Sequence, residues 1–297
     1  MWNFEEILPE NGDLTEGPVW TGKSLLITDG KSDRILEIDP TSKKSSVWFH
    51  DTQGVNGLNF NSKGELLGCE QRGRKIIQYM ENNQKNIIVE RLKGRKLNQP
   101  NDLAIDPSGN IWFSDPISTI DDKPQSDHSS ILKAIPQQDG SYNCERMTFD
   151  TTAPNGLLFS EDYKTLYVAQ SDFRACERRQ LRAYPVLEDG TLGKYKLLHD
   201  FGPHRGIDGM TLDSEGNIVA TCGWEISGPG GMVCVFSPKG RIIESHSVPC
   251  KRPSNCTFGG ENLDILYVTT LEGHLFMVEN TGRQGYLLYP KIKRGNK

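Results

Sequence analysis

No apolar stretch in this 297-residue chain approaches the roughly 20 residues needed to cross a bilayer. Its opening, Met1-Trp-Asn-Phe-Glu-Glu6, lacks the basic start and apolar core of a secretory signal. These absences predict a cytoplasmic protein that does not enter membranes. Excess positive charge is also missing: 34 Lys and Arg face 39 Asp and Glu, for a net charge of −5. Nothing draws the chain to nucleic acid, and its one basic cluster, Lys291-Ile-Lys-Arg-Gly-Asn-Lys297, reads as a solvated tail. Cysteine is sparse and odd in number, seven residues with no C-x-x-C pair. Cys69, Cys222 and Cys234 lie in strand-like runs and read as small buried hydrophobes, so the cysteines are expected to be reduced, with Cys250 and Cys256 the one pair that chance geometry could join. Long helical periodicity is absent. Gly228-Pro-Gly-Gly231 has neither the Lys-Ser/Thr nor the following helix of a phosphate loop, which leaves it as a loop between two strands.

What the chain does contain is one phrase repeated six times. A β-rich run recurs at Ser24–Asp29, Glu65–Glu70, Asn110–Asp115, Thr165–Gln170, Asn217–Cys222 and Ile265–Thr270. The copies lie about 41 to 55 residues apart, the period of a four-stranded propeller blade. A second strand follows in several repeats, as at Arg34–Asp39, Lys75–Met80, Ser130–Ile135 and Met232–Phe236. Asn61–Gly64, Asp106–Gly109 and Asp213–Gly216 put an Asx residue first and Gly fourth, which is turn chemistry. Asp106 to Asn110 lacks the spaced acids and closing Glu of an EF-hand loop and is read as one of these turns. The fold class is therefore all-β, a six-bladed β-propeller, with residues 1–297 as a single domain. Trp2 to Leu8 and Tyr286 to Tyr289 are the two candidates for the strand that closes it. The longer connections, Ile117 to Ser129 and Ser171 to Gln180, are candidates for covering a site.

Roughly eight to ten residues before each run stands Glu16, Asn56, Asn101, Asn155, Asp208 or Asn255. In a closed radial repeat, equivalent positions converge on the axis, so these oxygen-bearing side chains would form one ring. Glu16, Asn101, Asn155 and Asp208 supply two carboxylates and two amide oxygens, a hard donor set suited to Ca²⁺ in the central channel, with Zn²⁺, Mn²⁺ or Mg²⁺ as alternatives. Without a cation, two carboxylates in a low-dielectric channel would repel. The competing reading makes Asn56-Gly57, Asn155-Gly156 and Asp208-Gly209 ordinary turns.

Glu16-Gly-Pro-Val-Trp20, Asn98-Gln-Pro-Asn-Asp-Leu-Ala-Ile-Asp106, Pro154-Asn-Gly-Leu157 and Gly206-Ile-Asp-Gly-Met210 resemble signature segments of the SMP-30/gluconolactonase/regucalcin-like family. The similarity runs from about Glu16 to Thr270. It implies a propeller with a divalent metal held by Glu16, Asn101, Asn155 and Asp208, and hydrolysis of sugar lactones or related esters. The expected function is a Ca²⁺-dependent lactonase acting on a small molecule such as gluconolactone. The cation would polarise the carbonyl, and Asp208 would act as general base with His204 as its rival. Asn56, Arg72, Asp115, Gln170 and His204 are the expected substrate contacts, with Arg74 beside them. Trp112, Trp224 and Phe173 are either pocket walls or inter-blade core. The family often carries His where this chain has Gln71, a departure that bears on which lactone is used. A phosphotriesterase on the same scaffold, with Asp208 attacking phosphorus, and a non-catalytic calcium-binding interaction propeller are the alternatives.

Overall fold

A computed structural model describes residues 1–9, 14–117, 124–171 and 178–287. Among these residues there is no helix, and so none long and apolar enough to cross a membrane. The strands build six antiparallel blades, joined by a small hairpin of Arg91–Leu92 with Arg95–Lys96. Innermost in each blade lie Thr15–Trp20, Val55–Phe60, Leu103–Ile105, Pro154–Phe159, Ile207–Asp213 and Pro253–Gly259. The next strands outward are Leu25–Asp29, Leu66–Glu70, Ile111–Asp115, Thr165–Ser171, Ile218–Trp224 and Ile265–Thr270, which fall on the six repeated runs.

Those runs are apolar on both faces because each blade is sandwiched between two others. Along Leu25–Asp29, Leu25 and Ile27 pack with Tyr267, Leu275 and Met277 of the last blade, while Leu26 packs with Val55, Leu58 and Leu66 of the second. The two-residue alternation of a strand thus serves two interfaces at once. Six such clusters fill the six interfaces between neighbouring blades. Each fully buried Leu or Ile in them contributes about 1.5–3 kcal/mol. Trp112 belongs to this core, edge-on to Phe159 at 5.7 Å with its indole N–H on Asp106 Oδ2 at 3.0 Å. The predicted turns close as read, with Gly64, Gly109 and Gly216 at positive φ and their N–H groups on Asn61, Asp106 and Asp213.

The circle closes through Glu5–Leu8, which pairs with Leu275–Val278 as the outermost strand of the sixth blade. Trp2 continues this latch, stacked on His246 at 3.9 Å. The second closing candidate has another place. Gly285–Tyr286 pairs with Leu212 and Asp213 on the inner edge of the fifth blade. Only Gly fits there, because a Cβ on Gly285 would lie 2.2 Å from Phe258 Cβ.

One expectation is corrected. Gly228 to Gly231 lie inside the strand Ser227–Phe236, whose pairing with Ile218–Trp224 extends to Trp224 opposite Ser227, so the turn is at Glu225 and Ile226. Cys250 and Cys256 are free thiols, as are the other four described cysteines. Phe173 and the central parts of the two long connections lie outside the described residues.

Candidate active site

Five of the six inner strands slip register near their start: between Glu16 and Val19, Val55 and Leu58, Pro154 and Leu157, Ile207 and Met210, and Pro253 and Cys256. A slip of this kind inserts one unpaired residue and re-aims its side chain. In the third blade pairing begins only at Leu103, with Asn101 and Asp102 just ahead, anchored by Asn101 N–H on Ser114 O at 2.9 Å. Counted back from the first re-paired residue, Asn56, Asn101, Asn155 and Asp208 occupy one equivalent position. Glu16 stands one residue earlier and Asn255 one later.

The glycines beside them decide between ring and turn. Gly57, Gly156 and Gly209 lie within strands, and none has a positive φ. An added Cβ at Gly57 would come within 2.5 Å of Asp102 Oδ1, at Gly156 within 2.3 Å of Asp208 O, and at Gly209 within 2.0 Å of Asn255 Cγ and Oδ1. Each glycine is where one inner strand touches the next around the axis. The Asn-Gly and Asp-Gly pairs are close-approach sites rather than turns.

Glu16 Oε2 accepts the Gly17 N–H at 2.7 Å and the Asn255 amide at 2.9 Å. Burial pushes the Glu16 carboxyl well above the usual range, and the charges of Asp208 and Asp102 push it further. Asp102 was not singled out from the sequence, although Asn98-Gln-Pro-Asn-Asp contains it. Burial raises it to about 7, with Asp208 adding to the rise and the Leu103 N–H and Asn255 amide opposing it. Asp208 is raised by burial against the opposing pull of Arg205 and the Asn155 amide. Asn56 Oδ1 is buried and accepts no hydrogen bond. Three carboxylates and one guanidinium thus leave two net negative charges in the channel when all are ionised.

Beneath the ring is a cavity of about 80 Å³ lined by Gly17, Leu58, Asp102, Leu157, Met210 and Asn255 among others. Tyr286 and Leu287 also line it, Tyr286 pairing with Leu212 toward the end of the inner strand away from Asp208. Among the described residues no three His, Cys, Asp or Glu side chains come close enough to hold a metal by themselves. A cation here would have to draw on the Asn oxygens too, an all-oxygen set fit for a hard divalent ion. The bare Asn56 Oδ1 and the mutually repelling carboxylates fit such an ion.

The other expected contacts fall into two groups. Asp115 and Gln170 are buried at the ends of their strands and each commits an oxygen to a loop that leads into the ring, while Asp115 Oδ1 accepts no hydrogen bond. Asp115 Oδ2 accepts the Asn98 N–H at 2.9 Å, and Gln170 Oε1 accepts the Thr152 N–H at 3.0 Å. Burial raises Asp115 to about 7, opposed by the Asn98 and Gln99 N–H groups and by Arg74 and Arg146. Arg72 is half exposed, paired with Asp33 and donating to Gly30 O at 3.1 Å, while Arg74 donates to Asn98 O. His204 is exposed, its ring against the backbone of Gly228. Trp224 is half-buried beneath the Arg252 guanidinium.

Over residues 14–272 the chain matches the family described as SMP-30/Gluconolactonase/LRE-like region. It is similar to the gluconolactonase of Zymomonas mobilis, 28% identical over 283 residues covering 86% of this chain and 75% of the relative. It is also similar to the 6-deoxy-6-sulfogluconolactonase of Pseudomonas putida, 26% identical over 262 residues covering 86% and 83%. Its fold matches a solved gluconolactonase of Xanthomonas campestris with a TM-score of 0.80 and 26% identity, covering 93% of this chain and 89% of that one.

Proposed function

Because the chain belongs to the SMP-30/gluconolactonase/LRE-like family, we propose that it is a cation-dependent lactonase that opens a sugar lactone such as gluconolactone. The observation that carries this reading is the meeting of Glu16, Asp102 and Asp208 in one buried channel beside the unbonded Asn56 Oδ1. Lactonase relatives on the same fold support it. Glu16, Asn101, Asn155 and Asp208 would hold the ion, Ca²⁺ being the best match to neutral amide and carboxylate oxygens. When bound, the ion supplies Lewis-acid polarisation of the lactone carbonyl and stabilises the charge that develops on its oxygen.

The protein's own groups do the rest. Asp208 takes a proton from the attacking water. Burial raises its basicity, and Arg205 fixes Oδ2, so Oδ1 is the oxygen that the ion and the attacking water would share. Asn56 offers an acceptor to a substrate hydroxyl. Arg72 and His204, on the face above the ring, meet the sugar's outer hydroxyls. Asp115 and Gln170 act through the loops they hold. With Tyr286 paired to Leu212, at the end of the inner strand away from Asp208, substrate would enter from the Asp208 side.

The test is proton release from D-glucono-δ-lactone by metal-stripped protein, with and without Ca²⁺, corrected for spontaneous opening. Hydrolysis that requires the ion and falls by about 10²-fold or more in Asp208→Ala is the expected result. Metal-independent hydrolysis, or full activity in that variant, overturns the reading.

A further inference from the structure

Arg205 differs from its counterparts in the other blades: the arginine three residues ahead of Asn255, Arg252, lies over Trp224 and pairs with Glu225 rather than with the ring. Three residues ahead of Asn56, Asn101 and Asn155 stand Gln53, Asn98 and Thr152, whereas ahead of Asp208 stands this arginine. It is only 4% exposed. One Nη donates to Gly223 O at 3.1 Å and to Pro253 O at 3.0 Å, tying the fifth blade to the sixth, while the other donates to Asp208 Oδ2. The Gly223 N–H returns a bond to Arg205 O at 3.2 Å. A guanidinium so fixed cannot swing out to meet a substrate, and a buried cation in contact with Asp208 acts on the field of the channel at short range.

We propose that Arg205 is the built-in counter-ion of the ring, a positioning residue that holds Asp208 by one oxygen and limits how tightly the channel binds a divalent cation. The proposal rests on the cation-dependent reading above. Its physical content is one elementary charge. With all three carboxylates ionised, the channel carries two net negative charges when Arg205 is present and three when it is not. Arg205 also occupies Asp208 Oδ2, which leaves that carboxylate a single oxygen for an ion. Both effects weaken cation binding, and a less strongly neutralised ion is the better electrophile. The same charge lets the channel close in the absence of metal, since an unpaired buried carboxylate cluster opposes folding.

Calcium titration calorimetry on metal-stripped wild type, Arg205→Met and Arg205→Lys tests this. Arg205→Met is expected to bind Ca²⁺ at least about tenfold more tightly while its kcat on gluconolactone falls. Arg205→Lys, which keeps the charge and loses the fork, is expected to bind within about threefold of wild type. A purely structural role would move affinity the other way, because a distorted ring binds less well. Equal or weaker binding in Arg205→Met therefore overturns the proposal, as does tenfold tighter binding in Arg205→Lys. Should Arg205→Met fail to survive metal stripping, the rise in melting temperature on saturation with Ca²⁺ is compared instead. A rise no larger than in wild type refutes the counter-ion role. Wild type that binds no Ca²⁺, Mg²⁺ or Mn²⁺ sinks the cation-dependent reading itself. Wild type that binds, alongside an unaltered Arg205→Met, sinks only the role of Arg205.

Discussion

Adding one methyl group at Gly156 tests whether the channel is as tightly closed as the geometry requires. The new Cβ would lie 2.3 Å from the Asp208 carbonyl oxygen and 3.2 Å from Gly209 Cα. That is about 1 Å inside an unstrained carbon–oxygen contact, and the obstacle is backbone on both sides. Neither strand can yield by turning a side chain, so the inner edges of the fourth and fifth blades must separate. The cost sits at the upper end of overpacking, about 3 kcal/mol, or about 6–12 °C in melting temperature for a chain of this size. The same displacement moves Asp208, so Ca²⁺ binding should weaken with stability. Gly209→Ala differs, since its Cβ meets the Asn255 side chain at 2.0 Å. Asn255 can rotate away, at the loss of its bond to Glu16, and stability should fall less than in Gly156→Ala. Gly94→Ala is the control: nothing lies within 4 Å, and only its φ of 81° resists a side chain, at about 1 kcal/mol. Urea and thermal unfolding of the three variants give the ranking. A Gly156→Ala protein that melts within about 2 °C of wild type would refute the close approach and with it the ring geometry.

In metal-stripped protein, stability should fall as pH rises from about 4 to 8. Asp115 and Asp102 are held at about 7 by burial, against about 3.9 when unfolded. Their contribution is therefore fully present below the unfolded value and lost as pH rises through about 7. Chemical denaturation across that range checks the sign, and Asp115→Asn should flatten the curve. Removing residues 1–8 strips the outer strand from the sixth blade and uncovers Phe276 and Met277, so calorimetry should show a broadened transition and a loss of several kcal/mol, on the order of two or three large apolar side chains. His204→Ala should keep kcat within about threefold of wild type, because an exposed imidazole resting on Gly228 contributes less than the 10²-fold or more of a working base. A collapse in that variant comparable to Asp208→Ala would return the base role to His204.

The six repeated runs were legible because blade packing forces a local signal: a strand buried on both faces must be continuously apolar, and each copy must end in a turn. The ring was legible for a related reason, since a radial repeat carries equivalent residues to one axis. Asp102 escaped notice because it sits one residue beyond the repeated Asn, and its burial depends on how Gly57 crowds it from the neighbouring second blade and Asn255 reaches it across the channel from the sixth. Arg205 escaped because the His-Arg-Gly stretch before Asp208 looks like any exposed loop. Only tertiary contact shows that His204 faces out while its neighbour is sealed among three blade carbonyl and carboxylate groups. Asp115 and Gln170 show the converse. Their place at strand ends near the channel was readable, and their commitment to loop backbone was not.

The two ring members out of register explain how a sixfold repeat accommodates a joint. Glu16 and Asn255 belong to the first and last blades, and their deviations run in opposite directions along the chain. Gly17 and Ser254 therefore occupy the positions that Asn56 or Asp208 hold elsewhere. Glu16, one residue early, carries one more methylene than an Asp, and that length returns its carboxylate to the company of Asp208 and Asp102. Asn255, one residue late, reaches back to bond Glu16 at 2.9 Å across the seam. Ser254 Oγ seals the same seam at 2.8 Å to Thr15 O. The break in symmetry thus falls where the circle is joined. It puts a carboxylate of the site, Glu16, on the first inner strand, so that closing the propeller through Glu5–Leu8 and assembling the ring are one event.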